Sequence, residues 1–219
     1  MTDGASPAIV RFGTVGSTNE IAHAAAAAGE CGPRWFVAER QTAGRGRRGR
    51  AWVSEPGNLY ASHLVRTNLP ATVLGLLPLA AALALAEAID EVAGLSAPAA
   101  LKWPNDVLVR GAKVAGILLE MRHGGGGAAV VTGFGVNCRH HPAVAAYPVT
   151  SLSAAGSAAG PDELLPALAV RYDAAWQLIA GPDAAARVRA RWLARAIGLG
   201  GPITVRFEDR EEAGTFADL

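Results

Sequence analysis

Four short apolar segments separated by turn residues run from Leu101 to Gly135, and they constrain the fold more than any other part of the sequence. The strands that they predict are 101–103, 107–109, 114–121 and 128–135, with a Pro-Asn-Asp turn after the first, Gly111 before the third, and a hairpin connection from Gly124 to Gly127. Connections this short make neighbouring strands antiparallel. The stretch therefore predicts an antiparallel meander.

The other predicted elements mix helices and strands in no regular order. Ser17 to Glu20 has the pattern of a capping box and predicts an alanine-rich helix that ends near Ala28. The remaining segments are strands over 10–12, 35–39, 58–65, 203–207 and 212–217, helices over 78–92, 161–180 and 183–196, and a loop over 139–160. Without regular βαβ spacing, this order predicts an α+β fold with a mixed or antiparallel sheet flanked by helices.

The composition suits a soluble globular protein with one core. The chain has 219 residues, 51% of them hydrophobic, enough for one substantial core with a small appendage. Its 20 basic residues nearly balance 19 acidic ones, so the net charge indicates neither a nucleic acid nor a membrane surface as partner. Cys31 and Cys138 lack the spacing of a zinc site, and the first residues lack the pattern of a signal peptide. We expect free thiols in a cytoplasmic protein.

One uncharged stretch, Ala71 to Ala86, could be mistaken for a membrane span. Pro78 divides it, alanine supplies much of its length, and acidic residues follow from Glu87 onward. It falls short of the roughly 20 strongly apolar residues that a span needs. The sequence predicts a buried core helix that begins at Pro78, and no membrane association.

The segment from Gly44 to Arg50 is the most informative for function. It reads GRGRRGR and puts four guanidinium groups on a backbone whose glycines allow close approach by a ligand. A solvated basic loop or a nucleic-acid patch would have the same residues, but anchoring between Gln41 and Trp52 favours a pocket. Because like charges repel, we expect this arginine loop to be mobile until an anion binds.

A second polar cluster surrounds the proline turn. The residues from Lys102 to Asp106 read KWPND, and Lys113 opens a strand in which Gly116 would let a ligand lie against the backbone. Taken singly, Lys113 would be a solvated lysine and Asp106 a turn cap. Their combination with the arginine loop favours an anion site instead.

Chemistry that joins a carboxylate to ATP needs this combination of groups. Two anions about 4 Å apart repel by roughly 4 kcal/mol at an effective dielectric of about 20. Cations must offset that repulsion and stabilise the charge that builds up on the α-phosphate. The arginine loop and two lysines supply the cations, and the polar triplet Ser17 to Asn19 supplies neutral groups.

Five segments resemble, in the same order, the motifs of biotin protein ligases: GSTNE, ERQTAGRGRRGRAW, LKWPNDVLV, KVAGILLE and GFGVNC. The match spans Val10 to Cys138, and the pairing of GRGRRGR with KWPND is highly specific. The resemblance implies a class II synthetase-like catalytic domain and a two-step reaction with ATP and Mg²⁺. Biotin and ATP give biotinyl-5′-AMP and pyrophosphate, and the adenylate then acylates a lysine of the biotin carboxyl carrier protein of acetyl-CoA carboxylase or a related carboxylase.

The same resemblance implies roles for individual residues. Arg47 and Lys113 would be catalytic. The groups around biotin would be Ser17, Thr18, Asn19, Gln41, Arg45, Gly46, Arg47, Lys113 and Gly116, and those on the nucleotide side Arg48, Arg50, Trp52, Lys102, Asn105 and Asn137. No protein ligand of a metal is assigned. Asp106, beside the lysine-bearing turn, is the candidate base for the acceptor lysine.

The ends of the chain depart from the fuller family pattern. Some members carry an N-terminal helix-turn-helix repressor domain, whereas only about nine residues precede the first predicted strand, so we expect no DNA binding. The family's C-terminal domain is a small SH3-like barrel, but only about 16 residues follow Ile203. We expect a catalytic domain over residues 1–198 and a short or incomplete SH3-like segment over 199–219. A homodimer is left open.

Two rival functions stay open. A lipoate ligase or octanoyl transferase would share the fold, although those families show other glycine patterns at the arginine loop. A non-catalytic module that binds nucleic acid or another anion is the rival from another class, and it is disfavoured because no aromatic residues alternate with the arginines. Cys31, Cys138, His140 and His141 are interpreted as structural or solvated.

Overall fold

The computed structural model describes residues 8–124, 127–143, 145, 147–207 and 209–219. The helices are α1 (Thr18–Ala27), α2 (Ala71–Leu74), α3 (Leu77–Ala93), α4 (Pro161–Ala180) and α5 (Ala184–Leu193). The strands are β1 (Ala8–Val15), β2 (Arg34–Gln41), β3 (Leu59–Thr67), β4 (Ala100–Lys102), β5 (Asp106–Val109), β6 (Ala112–Gly124), β7 (Gly127–Val136), β8 (Pro202–Arg206) and β9 (Glu211–Thr215). Each predicted helix and strand has a counterpart here. The centre of the predicted hairpin connection, two positions in the loop 139–160 and the first seven residues lie outside the described residues.

The main sheet has seven strands in the order β1-β2-β3-β7-β6-β5-β4. Only the pair β1–β2 is parallel; the other neighbours are antiparallel. Strands β4 to β7 form the antiparallel meander that the turn residues predict, and β8 and β9 pair separately as a C-terminal hairpin. The predicted α+β class, with a mixed and mainly antiparallel sheet flanked by helices, is confirmed.

Helices α3 and α4 cover one face of the sheet, and the main core lies between these helices and the sheet. Leu85 and Ile89 of α3 are buried there together with Trp35 and Phe134 of the sheet. The stretch 71–93 has the length and hydropathy of a membrane span, but most of it is buried inside the protein. The predicted core helix is thus confirmed, with Pro78 in its first turn.

The opposite face is only partly covered. Ala22 and Ala26 of α1 pack on Phe36, Leu64 and Val131 of the sheet. Farther along the same face, Gly116 of β6 is paired with Gly135 of β7, so the sheet itself carries no side chain at that point. Because alternate residues of a strand share a face, Gly133 belongs to this bare surface as well. The sheet therefore offers an open floor beside α1.

The start of α1 lies where the sequence places it, but the predicted capping box is wrong. Ser17 is the extended N-cap residue and makes no side-chain capping bond. The Glu20 carboxylate, which would complete the box, instead pairs with Arg45 at 3.0 Å. A charged partner competes successfully here with a backbone N–H.

Candidate active site

A cavity of about 780 Å³ lies over the bare glycine floor, between α1, the arginine loop, the proline turn and the C-terminal hairpin. It brings together fifteen of the predicted site residues: Ser17, Thr18, Asn19, Gln41, Arg45, Gly46, Arg47, Arg48, Arg50, Trp52, Lys102, Asn105, Asp106, Lys113 and Gly116. Asn137 is placed elsewhere. It lines an adjoining cavity of about 210 Å³, and its side-chain amide donates to the Thr150 carbonyl at 3.0 Å.

The floor glycines are required by the side chains that lie on them. A Cβ at Gly133 would lie 2.3 Å from Asn19 Oδ1, and a Cβ at Gly135 would lie 2.7 Å from the Trp52 indole. Real Cβ atoms do not make such contacts, so any side chain there would displace the neighbour. The GFG motif thus gives Asn19 and Trp52 their positions.

Neutral polar groups form one end of the cavity. Gln41 Oε1 accepts from the Thr18 N–H at 2.9 Å and from its hydroxyl at 3.2 Å, while Gln41 Nε2 donates to Ser54 Oγ at 3.1 Å. Ser62 Oγ lies 2.7 Å from Thr18 Oγ1 and 2.6 Å from Asn19 Oδ1. These bonds fix the hydroxyls and amides at the cavity wall.

The network continues behind the wall. Asn19 Nδ2 donates to Glu120 Oε2 at 2.8 Å, and the same oxygen lies 3.4 Å from Nε2 of buried His23. Desolvation and then nearby Arg122 lower the pKa of His23, which favours a neutral ring that donates its Nε2–H to the carboxylate. Glu120 ends the KVAGILLE segment but had no role assigned to it, and Ser62 and His23 lie outside the segments that resemble the family motifs.

The arginine loop is a short hairpin. The Gly46 N–H donates to the Arg50 carbonyl at 2.7 Å, and the Trp52 N–H donates to the Gly44 carbonyl at 2.9 Å. Arg48 takes a left-handed conformation with φ 58° at its tip. A Cβ at Gly44 would lie 2.6 Å from Ser54 Oγ, so this glycine allows the hairpin to approach the segment that follows it.

Two arginines tie the hairpin to opposite sides of the cavity. Arg45 pairs with Glu20 of α1, and Arg47 donates to Asn105 Oδ1 of the proline turn at 3.2 Å. Burial, followed by the charges of Arg48 and Arg50, lowers the pKa of Arg47. The hairpin therefore crosses the cavity with its cations close together, and an anion below it would relieve their repulsion.

Lys113 lies at the boundary between the two cavities. Its Nζ is 2.6 Å from Asp106 Oδ1, and its side chain is 12% exposed. The same atom is 5.5 Å from the ring centre of Trp52 and 5.4 Å from that of Tyr147, within range of cation–π attraction. This cation is held by one carboxylate and two aromatic rings.

Tyr147 and the C-terminal residues Ile203 and Phe216 also line the main cavity, and the sequence did not indicate them. Tyr147 follows a stretch without periodic pattern, and it reaches the site because backbone bonds of Lys113 hold the next residues, Pro148 and Thr150. The two apolar residues had a pattern typical of an ordinary strand end. Only the folded chain brings these segments to one place.

Comparison with known proteins gives a consistent picture. Residues 19–137 match the family model described as the biotin/lipoate A/B protein ligase family. The chain is 42% identical over 200 residues to the biotin–acetyl-CoA-carboxylase ligase of Paracoccus denitrificans, covering 88% of this chain and 83% of that protein. It is 39% identical over 197 residues to the ligase of the same name from Mycobacterium tuberculosis, covering 87% and 71%.

A solved structure with the same fold is the biotin protein ligase of Aquifex aeolicus in complex with biotin and ATP. It superposes with a TM-score of 0.80 at 27% identity, covering 97% of this chain and 88% of that one. The likeness extends across both the main sheet and the C-terminal hairpin.

Proposed function

Because the chain belongs to the biotin/lipoate A/B protein ligase family, we propose that it is a biotin protein ligase. It joins biotin to AMP with release of pyrophosphate, and then passes the biotinyl group to a lysine of the biotin carboxyl carrier protein of acetyl-CoA carboxylase or a related carboxylase. One observation carries the proposal: a single cavity holds the neutral polar end, Lys113 and the four arginines of the hairpin.

The polar end suits the ureido ring of biotin. That ring is neutral and has two N–H donors and one carbonyl acceptor. Thr18 and Gln41 offer hydroxyl and amide groups at the wall, and Arg45 and Gly46 approach from the hairpin side. A neutral ligand with both kinds of hydrogen-bonding group can be matched there without burying an unpaired charge.

The cations suit the first chemical step. A carboxylate oxygen of biotin attacks the α-phosphorus of ATP, a P–O bond forms, and the bond to pyrophosphate breaks. Lys113 and Arg47 offset the repulsion between the two anions, roughly 4 kcal/mol at about 4 Å and an effective dielectric of about 20. The low exposure of Lys113 strengthens its interaction with the charge that develops in the transition state.

The pair of Asp106 and Lys113 suits the second step. The acceptor lysine attacks the carbonyl carbon of the adenylate, a C–N bond forms, and AMP leaves with the electrons of the C–O bond. Asp106 accepts the proton that the amine loses. Its partner Lys113 is 2.6 Å away and remains close to the leaving phosphate.

The nucleotide occupies the remaining part of the main cavity. Its neighbours there are Lys102, Asn105, Arg48, Arg50 and Trp52, and Trp52 also lines the small cavity that contains Asn137. Mg²⁺ fits this site as a companion of the ATP phosphates, since it commonly binds one or two carboxylates together with phosphate oxygens. Among the described lining residues Asp106 is the one carboxylate, and because it is paired with Lys113, the phosphate oxygens and water would supply most of the ligands of Mg²⁺.

We further propose the division into a catalytic domain over residues 1–198 and a partial SH3-like segment over 199–219. The separate pairing of β8 with β9 supports it. A cytoplasmic location is part of the same proposal. It is supported by Cys31 and Cys138, which are free thiols.

Pyrophosphate release from ATP tests the proposal. The purified chain is supplied with biotin, lipoate or octanoate at equal concentration. Release with biotin at least about tenfold faster than with either other acid is expected. Equal or faster release with lipoate or octanoate would indicate a lipoate or octanoate ligase instead. Release with none of the three acids would contradict the proposal.

A further inference from the structure

Glu120 lies outside the cavity lining yet contacts Asn19, one of the residues that form its polar end. We propose that Glu120 is a positioning residue that makes Thr18 a hydrogen-bond acceptor towards the cavity and thereby selects a ligand with a ring N–H at that point. The inference rests on the proposed function, because the ligand in question is the ureido ring of biotin.

Glu120 fixes the orientation of the side-chain amide of Asn19. The two ends of this amide are chemically different, and Glu120 Oε2 lies 2.8 Å from Nδ2. A carboxylate only accepts hydrogen bonds, so it holds the NH₂ group on its own side. Oδ1 is then turned towards Ser62, 2.6 Å away. Glu120 thus decides which end of the Asn19 amide meets Ser62.

The hydrogen-bonded oxygens of the polar end have fewer hydroxyl protons than contacts. Three oxygen pairs lie within hydrogen-bond distance: Gln41 Oε1 with Thr18 Oγ1 at 3.2 Å, Thr18 Oγ1 with Ser62 Oγ at 2.7 Å, and Ser62 Oγ with Asn19 Oδ1 at 2.6 Å. Both terminal atoms are acceptors, so two hydroxyl protons must serve three contacts. The Ser62 proton goes to Asn19 Oδ1, because these oxygens are only 2.6 Å apart, Oδ1 has no proton to offer, and they would repel without a proton between them.

These protons determine what the Thr18 hydroxyl can offer to a ligand. Its hydroxyl proton serves either Ser62 Oγ or Gln41 Oε1, and both lie within the protein. In either arrangement no proton of Thr18 points into the cavity, so only its lone pairs are available to a ligand. With the Asn19 amide reversed, Nδ2 could donate to Ser62, and the Ser62 proton could go to Thr18. Thr18 would then be able to donate to the ligand.

His23 keeps Glu120 in this arrangement. The histidine is 5% exposed, and its Nε2 lies 3.4 Å from the oxygen that accepts from Asn19. Its Nδ1 has no hydrogen-bond partner among the described residues, as expected for a neutral ring protonated at Nε2. Glu120 Oε2 therefore has two hydrogen-bond donors, Asn19 and His23, and both belong to helix α1.

The test compares Glu120→Leu with Glu120→Gln, which keeps an oxygen that can accept from Asn19. Glu91→Leu is the matched control, since Glu91 is a half-exposed carboxylate paired with Arg171 on the other face of the sheet. Pyrophosphate release is measured with biotin and with its cyclic carbamate analogue, in which one ring N–H is replaced by oxygen. Thermal unfolding verifies that each variant is folded.

We expect Glu120→Leu to raise KM for biotin about tenfold with kcat nearly unchanged, as for one misdirected buried hydrogen bond. Its preference for biotin over the carbamate should fall by about fivefold or more, because Thr18 can then donate to the ring oxygen. Glu120→Gln should keep both values within about threefold of wild type. Glu91→Leu should resemble wild type.

Wild-type KM and wild-type discrimination in folded Glu120→Leu would overturn the inference. If that variant does not fold, Ser62→Ala replaces it, since it removes the hydroxyl between Asn19 and Thr18. Unchanged discrimination in Ser62→Ala would overturn the inference equally. The proposed function fails separately, by the absence of biotin-dependent pyrophosphate release in the wild-type protein.

Discussion

The ammonium group of Lys113 lies 2.6 Å from a carboxylate oxygen of Asp106, with the two side chains 12% and 23% exposed. The pair joins Asp106, the last residue of the KWPND turn, to Lys113 near the start of β6. In the proposed reaction the lysine faces the anions of the first step, and the aspartate receives the proton of the second. The two steps should therefore be separable by mutation.

Asp106→Asn is expected to form biotinyl-AMP but to transfer it slowly. The amide cannot accept the proton of the acceptor lysine, and general-base catalysis of this kind contributes about 10²–10⁴-fold. Single-turnover measurements of pyrophosphate release and of carrier biotinylation give the two rates. If the variant performs both steps at the wild-type rate, Asp106 is not the base.

Arg47→Ala is expected to loosen retention of the adenylate. Arg47 joins the hairpin to Asn105, so its loss detaches one of the two ties across the cavity. The fraction of biotinyl-AMP that remains bound after rapid gel filtration should fall, and an unrelated protein such as serum albumin should become biotinylated on exposed lysines. Arg11→Ala serves as control, because Arg11 pairs with Asp162 at an exposed site. Tight retention by Arg47→Ala would count against a closing hairpin.

Gly135→Ala is expected to impair nucleotide binding. The new Cβ would lie 2.7 Å from the Trp52 indole, which lines both cavities and would have to move. KM for ATP should rise about tenfold or more, an effect of about 1.4 kcal/mol. Gly13→Ala is the matched control, since a Cβ at Gly13 meets nothing within 4 Å. An unchanged KM for ATP in Gly135→Ala would show that Trp52 does not line the nucleotide site.

His63 makes the stability of the fold depend on pH. Burial lowers its pKa to about 3, whereas a histidine in the unfolded chain titrates near 6.5. The unfolded chain takes up this proton first, so the free energy of unfolding is highest above about pH 6.5 and falls towards pH 3, by up to about 1.4 kcal/mol per pH unit. His63→Phe should remove this contribution. Its ring would replace one that packs edge-on against Trp35 and Tyr172.

Denaturant unfolding of wild type and His63→Phe between about pH 7 and pH 5 measures the effect. The carboxylates and His23 are common to both proteins, so the difference between the two curves isolates His63. The free energy of unfolding of His63→Phe, relative to that of wild type, should rise as the pH falls. A difference that is the same at every pH would refute the assignment.

The elements of the fold could be predicted because their signals are local. The proline turn, Gly111 and the alternating strands set the meander, and they do so within a few residues of sequence. The arginine loop was also marked locally, by charge and glycine. The capping box failed because Glu20 found a partner, Arg45, that lies 25 residues away in the chain.

The residues behind the cavity wall could not be predicted from the sequence. Ser62 sits in a strand whose neighbours are buried, and Glu120 has the alternating position of an ordinary surface carboxylate. Their importance arises from pairing between distant segments: Glu120 is 101 residues from Asn19, and Ser62 is 43 residues from it. No local pattern carries that information.

Biotinylation of a carrier domain is the direct test of the proposed ligase activity. The chain is incubated with ATP, biotin and the carrier domain of an acetyl-CoA carboxylase, and the modified peptide is located by mass spectrometry. We expect one biotinyl group on one carrier lysine, formed only when ATP and biotin are both present and lost when that lysine is changed to arginine. An unmodified carrier, or one acylated by lipoate or octanoate in preference to biotin, would contradict it.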